Sequence, residues 1–149
     1  MKTVIQRVKK AVLTVDRVHR GEISRGLVVL AGFGENDTEA DLAYVVAKIL
    51  HLRIFEDAVG KMNETVVQQN GEIMLVSQFT LFGDCRRGNR PDFTAAAKPE
   101  KAKPLYERFV AAFAGTVKNI VSGDFGSTML VEICNDGPVT ILLDSPCHE

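Results

Sequence analysis

The chain has 149 residues, 46% of them hydrophobic and 25% charged, which is the size and make-up of one globular domain spanning residues 1–149. A core of that size needs no disulfide or metal staple, and the net charge of −1 leaves no overall basic field for nucleic acid. The apolar runs are too short to cross a membrane, and Met1 to Arg7 lack a signal-peptide core, so a cytoplasmic location is expected.

Thr3 to Val8 alternates and is rich in β-formers, so it reads as a first strand, with Ala11–Val15 and Val18–Ile23 as a second strand and its hairpin partner. Asp16-Arg17 between them is a weak turn signal. Gly26 to Gly32 is a buried central strand closed by glycines. The Gly32-Phe33-Gly34 that follows lacks the remaining residues of a phosphate-binding loop. Asp37-Thr38-Glu39 caps a helix running to about His51, with Leu42, Val45, Val46, Ile49 and Leu50 as its apolar stripe. Arg53 to Phe55 is a short strand, and Asp57 to Asn63 is turn-rich.

Glu72 to Leu81 changes character halfway. Ile73-Met74-Leu75-Val76 is an unbroken apolar run, as in a strand covered on both faces. Ser77, Gln78 and Thr80 then bring hydroxyls and an amide among Phe79 and Leu81. Continued as a strand, the segment would point Gln78 and Thr80 to one face and Ser77, Phe79 and Leu81 to the other. Such a polar row either satisfies its own backbone or builds a site. Gly83 to Phe93 is a polar loop with three arginines, and long charged loops tend to carry function. Pro99 or Pro104 opens a second helix with Leu105, Phe109, Ala112 and Phe113 on its apolar face. Thr116–Val121, Met129–Cys134 and Val139–Leu143 are the last strands, and Asn135-Asp136-Gly137-Pro138 punctuates the final pair as turn residues do. About seven or eight strands and two helices, without regular alternation, predict an α/β fold: a mixed, barrel-like sheet with the two helices packed on it.

The chemistry-bearing residues are sparse. Cys85, Cys134 and Cys147 have no metal-ligand spacing, so neither a metal nor a cofactor is expected. Cys134 reads as core, and Cys85 lies beside Arg86 and Arg87, which favour a thiolate. Nothing in the sequence brings His19, His51 or His148 to Ser77 or Thr80. Basic clusters at Arg7/Lys9/Lys10, Arg86/Arg87/Arg90 and Lys98/Lys101/Lys103 are of the kind that form solvated faces, although a small phosphate footprint is compatible with them. A Gly-Pro bond such as Gly137-Pro138 has an appreciable chance of being cis. A rigid turn there would aim two carbonyl oxygens at a small cation such as a primary ammonium.

Ser77-Gln78-Phe79-Thr80-Leu81 together with Asn135-Asp136-Gly137-Pro138-Val139-Thr140 resembles the signature pair of the D-aminoacyl-tRNA deacylases. Val4 to Val8, Leu52 to Asp57, Gly60 to Asn63 and Arg87 to Pro91 fit the same family, so the resemblance covers the whole chain. The charged hairpin at Asp16 to Arg20 and the Cys147-His148-Glu149 tail are its departures. The resemblance implies a homodimer in which the Gly137-Pro138 turn of one subunit enters the pocket of the other. It implies hydrolysis of the ester joining a D-amino acid to the 3′ end of tRNA, with mischarged glycine also a substrate.

Ester hydrolysis needs a nucleophile, oxyanion stabilisation and positioning, and the sequence offers no Ser-His-Asp order. The vicinal 2′-hydroxyl of the terminal adenosine can assist a water instead. The expected roles follow. Backbone N–H groups near Phe79 and Thr80 face the oxyanion, Ser77 and Gln78 fix the substrate, and the carbonyls of Gly137 and Pro138 hold the α-ammonium. Arg7 supports that turn, and Met129 and Phe79 pack near the terminal adenine. Two other classes stay open: a non-catalytic RNA-end or nucleotide-binding module, and a small thiol hydrolase using Cys85.

Overall fold

In the computed structural model, which describes residues 1–146, eight strands and two helices follow the order β1 (Lys2–Val15), β2 (Val18–Ile23), β3 (Gly26–Gly32), α1 (Glu39–His51), β4 (Phe55–Glu56), β5 (Met62–Glu64), β6 (Glu72–Ser77), α2 (Pro99–Ala111), β7 (Ile120–Ser122) and β8 (Met129–Asp144). Cys147 and His148 lie outside the described residues. The main sheet runs β2-β1-β3-β6-β7, with β8 on the other edge of β1. β3, β6 and β7 are parallel, while β1 is antiparallel to β2, β3 and β8.

β1 is the spine. One edge pairs with β8 along nearly its whole length; the other pairs with β3 over residues 2–8 and then with β2 over residues 11–15. The two strands expected from this stretch are therefore one. Alternation of buried residues slips at Arg7 and Val8, which are consecutive and both buried, where the β1–β8 register is broken by bulges. A bulge bends a strand and re-aims its side chains. Ile5 thus joins one core while Val8, Ala11, Leu13 and Val15 join the other.

The two cores lie on opposite faces of the sheet, which is why β3 and β6 read as unbroken apolar runs. Leu27, Val29, Ile73 and Leu75 pack under the helices with Val45, Ile49, Leu105, Phe109 and Phe113. Val28, Met74 and Val76 face the interior that the curled β1–β2 arm encloses. Val121 closes against Gly21 of β2, giving the barrel-like form predicted from the sequence.

α1 starts where Thr38 predicts, its backbone N–H donating to Asp41 Oδ2 at 2.8 Å. Pro99, not Pro104, opens α2. Ala112 is exposed beyond the helix end, and the buried face is Ala102, Leu105, Tyr106 and Phe109. Asp57 to Asn63 closes a small hairpin between β4 and β5. The strand expected over Thr116–Val121 is confined to β7, because turn bonds carry the end of α2 on to Thr116. Asp16 and Arg17 both adopt positive φ, 48° and 68°, so this weak signal forms a tight hairpin, held where Asp16 N–H donates to the Thr128 carbonyl and Thr128 N–H donates to Asp16 Oδ1. Cys134 is exposed, contrary to its expected place in the core: β8 turns Met129, Val131 and Ile133 inward and the intervening residues out.

Candidate active site

β6 ends at Ser77, and the chain then winds into a 3-10 turn over Phe79–Phe82. The expected continuation as a strand fails here. Gln78 N–H makes the last bond to β3, to the Ala31 carbonyl at 2.7 Å, and its ψ of 76° leaves the extended region. Leu81 N–H then returns to Gln78 O and Gly83 N–H to Thr80 O. Gln78 and Thr80 meet through the turn: the Gln78 amide donates to Thr80 Oγ1. Phe79 is 55% exposed, with its ring edge-on to Phe93 at 5.2 Å. Among the described residues, the backbone N–H groups of Phe79 and Thr80 have no acceptor. Two adjacent orphan donors at the start of a helical turn suit a developing negative charge.

Two glycines not singled out for this purpose shape the turn. A Cβ on Gly32 would fall 2.8 Å from the Gln78 carbonyl oxygen, and one on Gly34 would fall 3.1 Å from the Phe82 ring. The Gly-Phe-Gly that resembled a phosphate loop is a cradle for the polar end of β6. Strand-end glycines flanking a phenylalanine were the only signal.

Asn135 to Thr140 is not a turn between two strands. Gln6 pairs with Thr140 and Val8 with Asn135, so four residues, 136–139, bulge out opposite Arg7 alone. The Asn135 side chain clamps the base of the bulge: Val139 N–H donates to its Oδ1 at 3.0 Å, and its Nδ2 donates to Thr140 Oγ1 at 3.1 Å. Gly137 has φ 127°, the Gly137-Pro138 bond is cis, and both residues are exposed. Arg7 lies buried underneath. Its Nε donates to the Asp136 carbonyl at 3.1 Å and its Nη1 to the Ile54 carbonyl at 2.7 Å.

The two groups do not meet within one chain. Arg7 is level with Leu27 of β3, whereas Ser77 is level with Ala31, and β8 is three strands from β6. That separation is about 13 Å along the strands and about 14 Å across them. Met129, at the far end of β8, lies at the Ser77 end of the sheet. It packs on the core that holds Val76, and its sulfur lies against Gly123, whose N–H donates to the Leu75 carbonyl.

No acid or base is hydrogen-bonded to Thr80 among the described residues. His51 bonds the Ala47 carbonyl at the end of α1, and His19 is exposed in the β1–β2 hairpin. The Tyr106 hydroxyl is pushed well above its usual range by burial and lies within hydrogen-bonding distance of the Leu75 and Gly123 carbonyls. No group of three or more potential metal-ligating side chains occurs among the described residues, and no helix among them is long and apolar enough to cross a membrane. Cys85 is an exposed free thiol, but the Arg86 guanidinium is engaged with Asp84.

The chain is similar to known proteins along nearly its whole length. The family model described as D-Tyr-tRNA(Tyr) deacylase matches residues 4–144. A D-aminoacyl-tRNA deacylase of Shouchella clausii is 50% identical over 97% of this chain and 99% of its own. One from Thermus aquaticus is 52% identical over 97% and 95%. A solved structure titled c-Myc DNA Unwinding Element Binding Protein superposes with TM-score 0.92 at 44% identity, covering 99% of this chain and 100% of its own. A probable eukaryotic D-amino acid tRNA deacylase shares the fold at TM-score 0.82 and 20% identity, covering 96% and 98%.

Proposed function

Since the chain belongs to the D-aminoacyl-tRNA deacylase family and is a hydrolase of the aminoacyl-tRNA ester, we propose that its two motifs divide the reaction between two subunits. The polar end of β6 handles the ester. The carbonyl oxygen of the substrate sits against the Phe79 and Thr80 N–H groups, whose charge stabilisation on attack is worth about 3 kcal/mol each. A water adds to the carbonyl carbon, the bond to the 3′ oxygen breaks, and the proton ends on that oxygen. Free D-amino acid and tRNA leave.

The proton is handled by the substrate. Thr80 Oγ1 receives a hydrogen bond from the Gln78 amide, and an amide is no base. The 2′-hydroxyl of the terminal adenosine therefore orients the water. Full-rate hydrolysis of a substrate ending in 2′-deoxyadenosine would remove this step.

The bulge supplies chirality. Gly137 and Pro138 are presented outward on a base fixed by Arg7 and Asn135, and a second copy of the chain receives them beside its own Ser77–Thr80. Their carbonyls hold the α-ammonium and leave no room for an L side chain, so selection works by rejecting the wrong enantiomer. Glycine, with no side chain, passes this filter. The observation that carries the reading is the separation of the two motifs within one chain: a site using both needs two copies. Leu142, 77% exposed on the same strand, is apolar surface that a partner would cover.

Mixing tests it. A variant damaged only at Gln78 and another damaged only at Gly137 should each be inactive and regain activity when co-assembled. Persistent inactivity of the mixed species, or full activity of a monomer, overturns the cross-subunit arrangement. Absence of D-aminoacyl-tRNA hydrolysis by a dimer that still binds the RNA end would favour a binding module instead.

A further inference from the structure

We propose that the tip of the loop between Asp84 and Asp92 is a phosphodiester-binding surface, using Arg87 and Arg90 to hold the single-stranded RNA that precedes the terminal adenosine. The inference rests on the reading that the ester enters at Ser77–Thr80.

The loop is a built element. Asp84 and Asp92 exchange backbone hydrogen bonds at 2.8 and 2.9 Å, which closes its neck. Asp84 Oδ1 accepts from the Arg86 backbone N–H, Asp92 Oδ1 accepts from the Thr94 N–H, and Gly88 N–H donates to Cys85 O. The neck is fixed to the candidate site on both sides. Gly83 N–H donates to Thr80 O at its start, and Phe93 packs on Phe79 at its end.

The charges of this element are unevenly used. Between Cys85 and Pro91 there are three arginines and no carboxylate, and residues 85–91 are all exposed. Arg86 is tied to Asp84. Arg87 and Arg90 have no hydrogen-bond or ion-pair partner among the described residues. Elsewhere Arg20 engages Asp124, Arg108 engages Glu39, Arg53 engages the Asn63 carbonyl, Arg7 engages Asp136 and Arg25 lies over the Phe55 ring, while Arg17 in the β1–β2 hairpin is exposed and has no such partner among the described residues. In a chain of net charge −1, two free guanidiniums held beside the ester site make a local anion site. The substrate brings one phosphate per nucleotide leading away from that ester, and guanidinium forks match phosphate oxygens. The bases are not read, so the contact positions the RNA without sequence preference.

The test compares two substrates of the dimeric, full-length protein: D-aminoacyl-tRNA and the D-aminoacyl ester of adenosine, which carries no phosphate. For Arg87→Gln/Arg90→Gln, the ratio of kcat/KM on the first to that on the second should fall about tenfold at low salt, through KM. The slope of log kcat/KM against log salt for the RNA substrate should flatten by about 1.4, at about 0.7 for each lost contact to a single strand. Arg87→Lys/Arg90→Lys should recover most of the ratio, because charge is retained. An unmoved ratio and slope, or equal losses on both substrates, overturns the phosphate surface and leaves the hydrolase reading standing. Loss of both activities in the unmodified protein would instead bring down the placement of the ester.

Discussion

Arg7 and Asp136 are joined twice, by the Nε bond to the Asp136 carbonyl at 3.1 Å and by a 3.6 Å approach of the same nitrogen to the Asp136 carboxylate. Arg7 also donates to Ile54 O, so one buried guanidinium ties the bulge of β8 to the segment before β4. A lysine offers a single point of charge and cannot span both carbonyls. Arg7→Lys should cost about 2–3 kcal/mol in urea unfolding. If Arg7 only stabilises, the ratio of D to L hydrolysis will stay fixed. If it aims the bulge, that ratio will fall, and this is the expected result.

Gly32 meets the Gln78 carbonyl where no side chain fits, with only 2.8 Å available to a Cβ. The neighbour is backbone, so it cannot swing aside. Gly32→Ala should push the start of the 3-10 turn outward, costing about 1–3 kcal/mol of stability. Activity should fall further than the unfolded fraction accounts for. A variant that loses stability but keeps kcat would show that the turn tolerates displacement.

Thr80 separates two mechanisms by magnitude. Removing a hydroxyl nucleophile costs about a millionfold in kcat. Removing one neutral hydrogen-bonding hydroxyl costs about 0.5–1.5 kcal/mol, or about tenfold at most. With the Gln78 amide as its partner, Thr80 belongs to the second case. Thr80→Ala should therefore retain turnover within about tenfold of the parent. An acyl-enzyme trapped on Thr80 would sink the assignment.

How much of this was legible in the sequence depends on the range of the physics. Apolar periodicity is local, and it located α1, α2, β3 and the first half of β6 because each buries its face against elements that cover it fully. The Ser77–Thr80 turn was not legible as a turn. The β3–β6 pairing stops at Ala31 and Ser77, and the room for the turn comes from Gly32 and Gly34, more than 40 residues away in sequence. Asn135 to Pro138 looked like a hairpin turn because bulges and turns favour the same residues. Only the register along β1 tells them apart. Without the family resemblance, which placed Arg7 under the Gly137-Pro138 turn, Arg7 reads as part of a surface cluster, because the carbonyls that accept from it lie at residues 54 and 136. Cys134 looked like core because a half-buried strand with leucine on its outer face reads as apolar throughout.

The neck of the arginine loop should respond to acid in a defined window. Hydrogen bonds from the Arg86 guanidinium, and next from its backbone N–H, hold the Asp84 carboxyl down at about 2 against an ordinary value of 3.8. A depressed folded-state value means the contribution is present above 3.8 and is lost as pH falls through about 2. At pH 3 the Asp84 carboxylate should thus remain ionised and the Arg86 bonds intact, while exposed aspartates without such partners are largely protonated. Carboxyl carbon NMR of the full-length protein reads this directly. Arg86→Gln should move the Asp84 midpoint up toward 3.8, because its largest cause has been removed. A midpoint near 4 in the unmodified protein would mean that the Asp84–Arg86 pair does not persist in solution, and that a third guanidinium stands free at the loop tip.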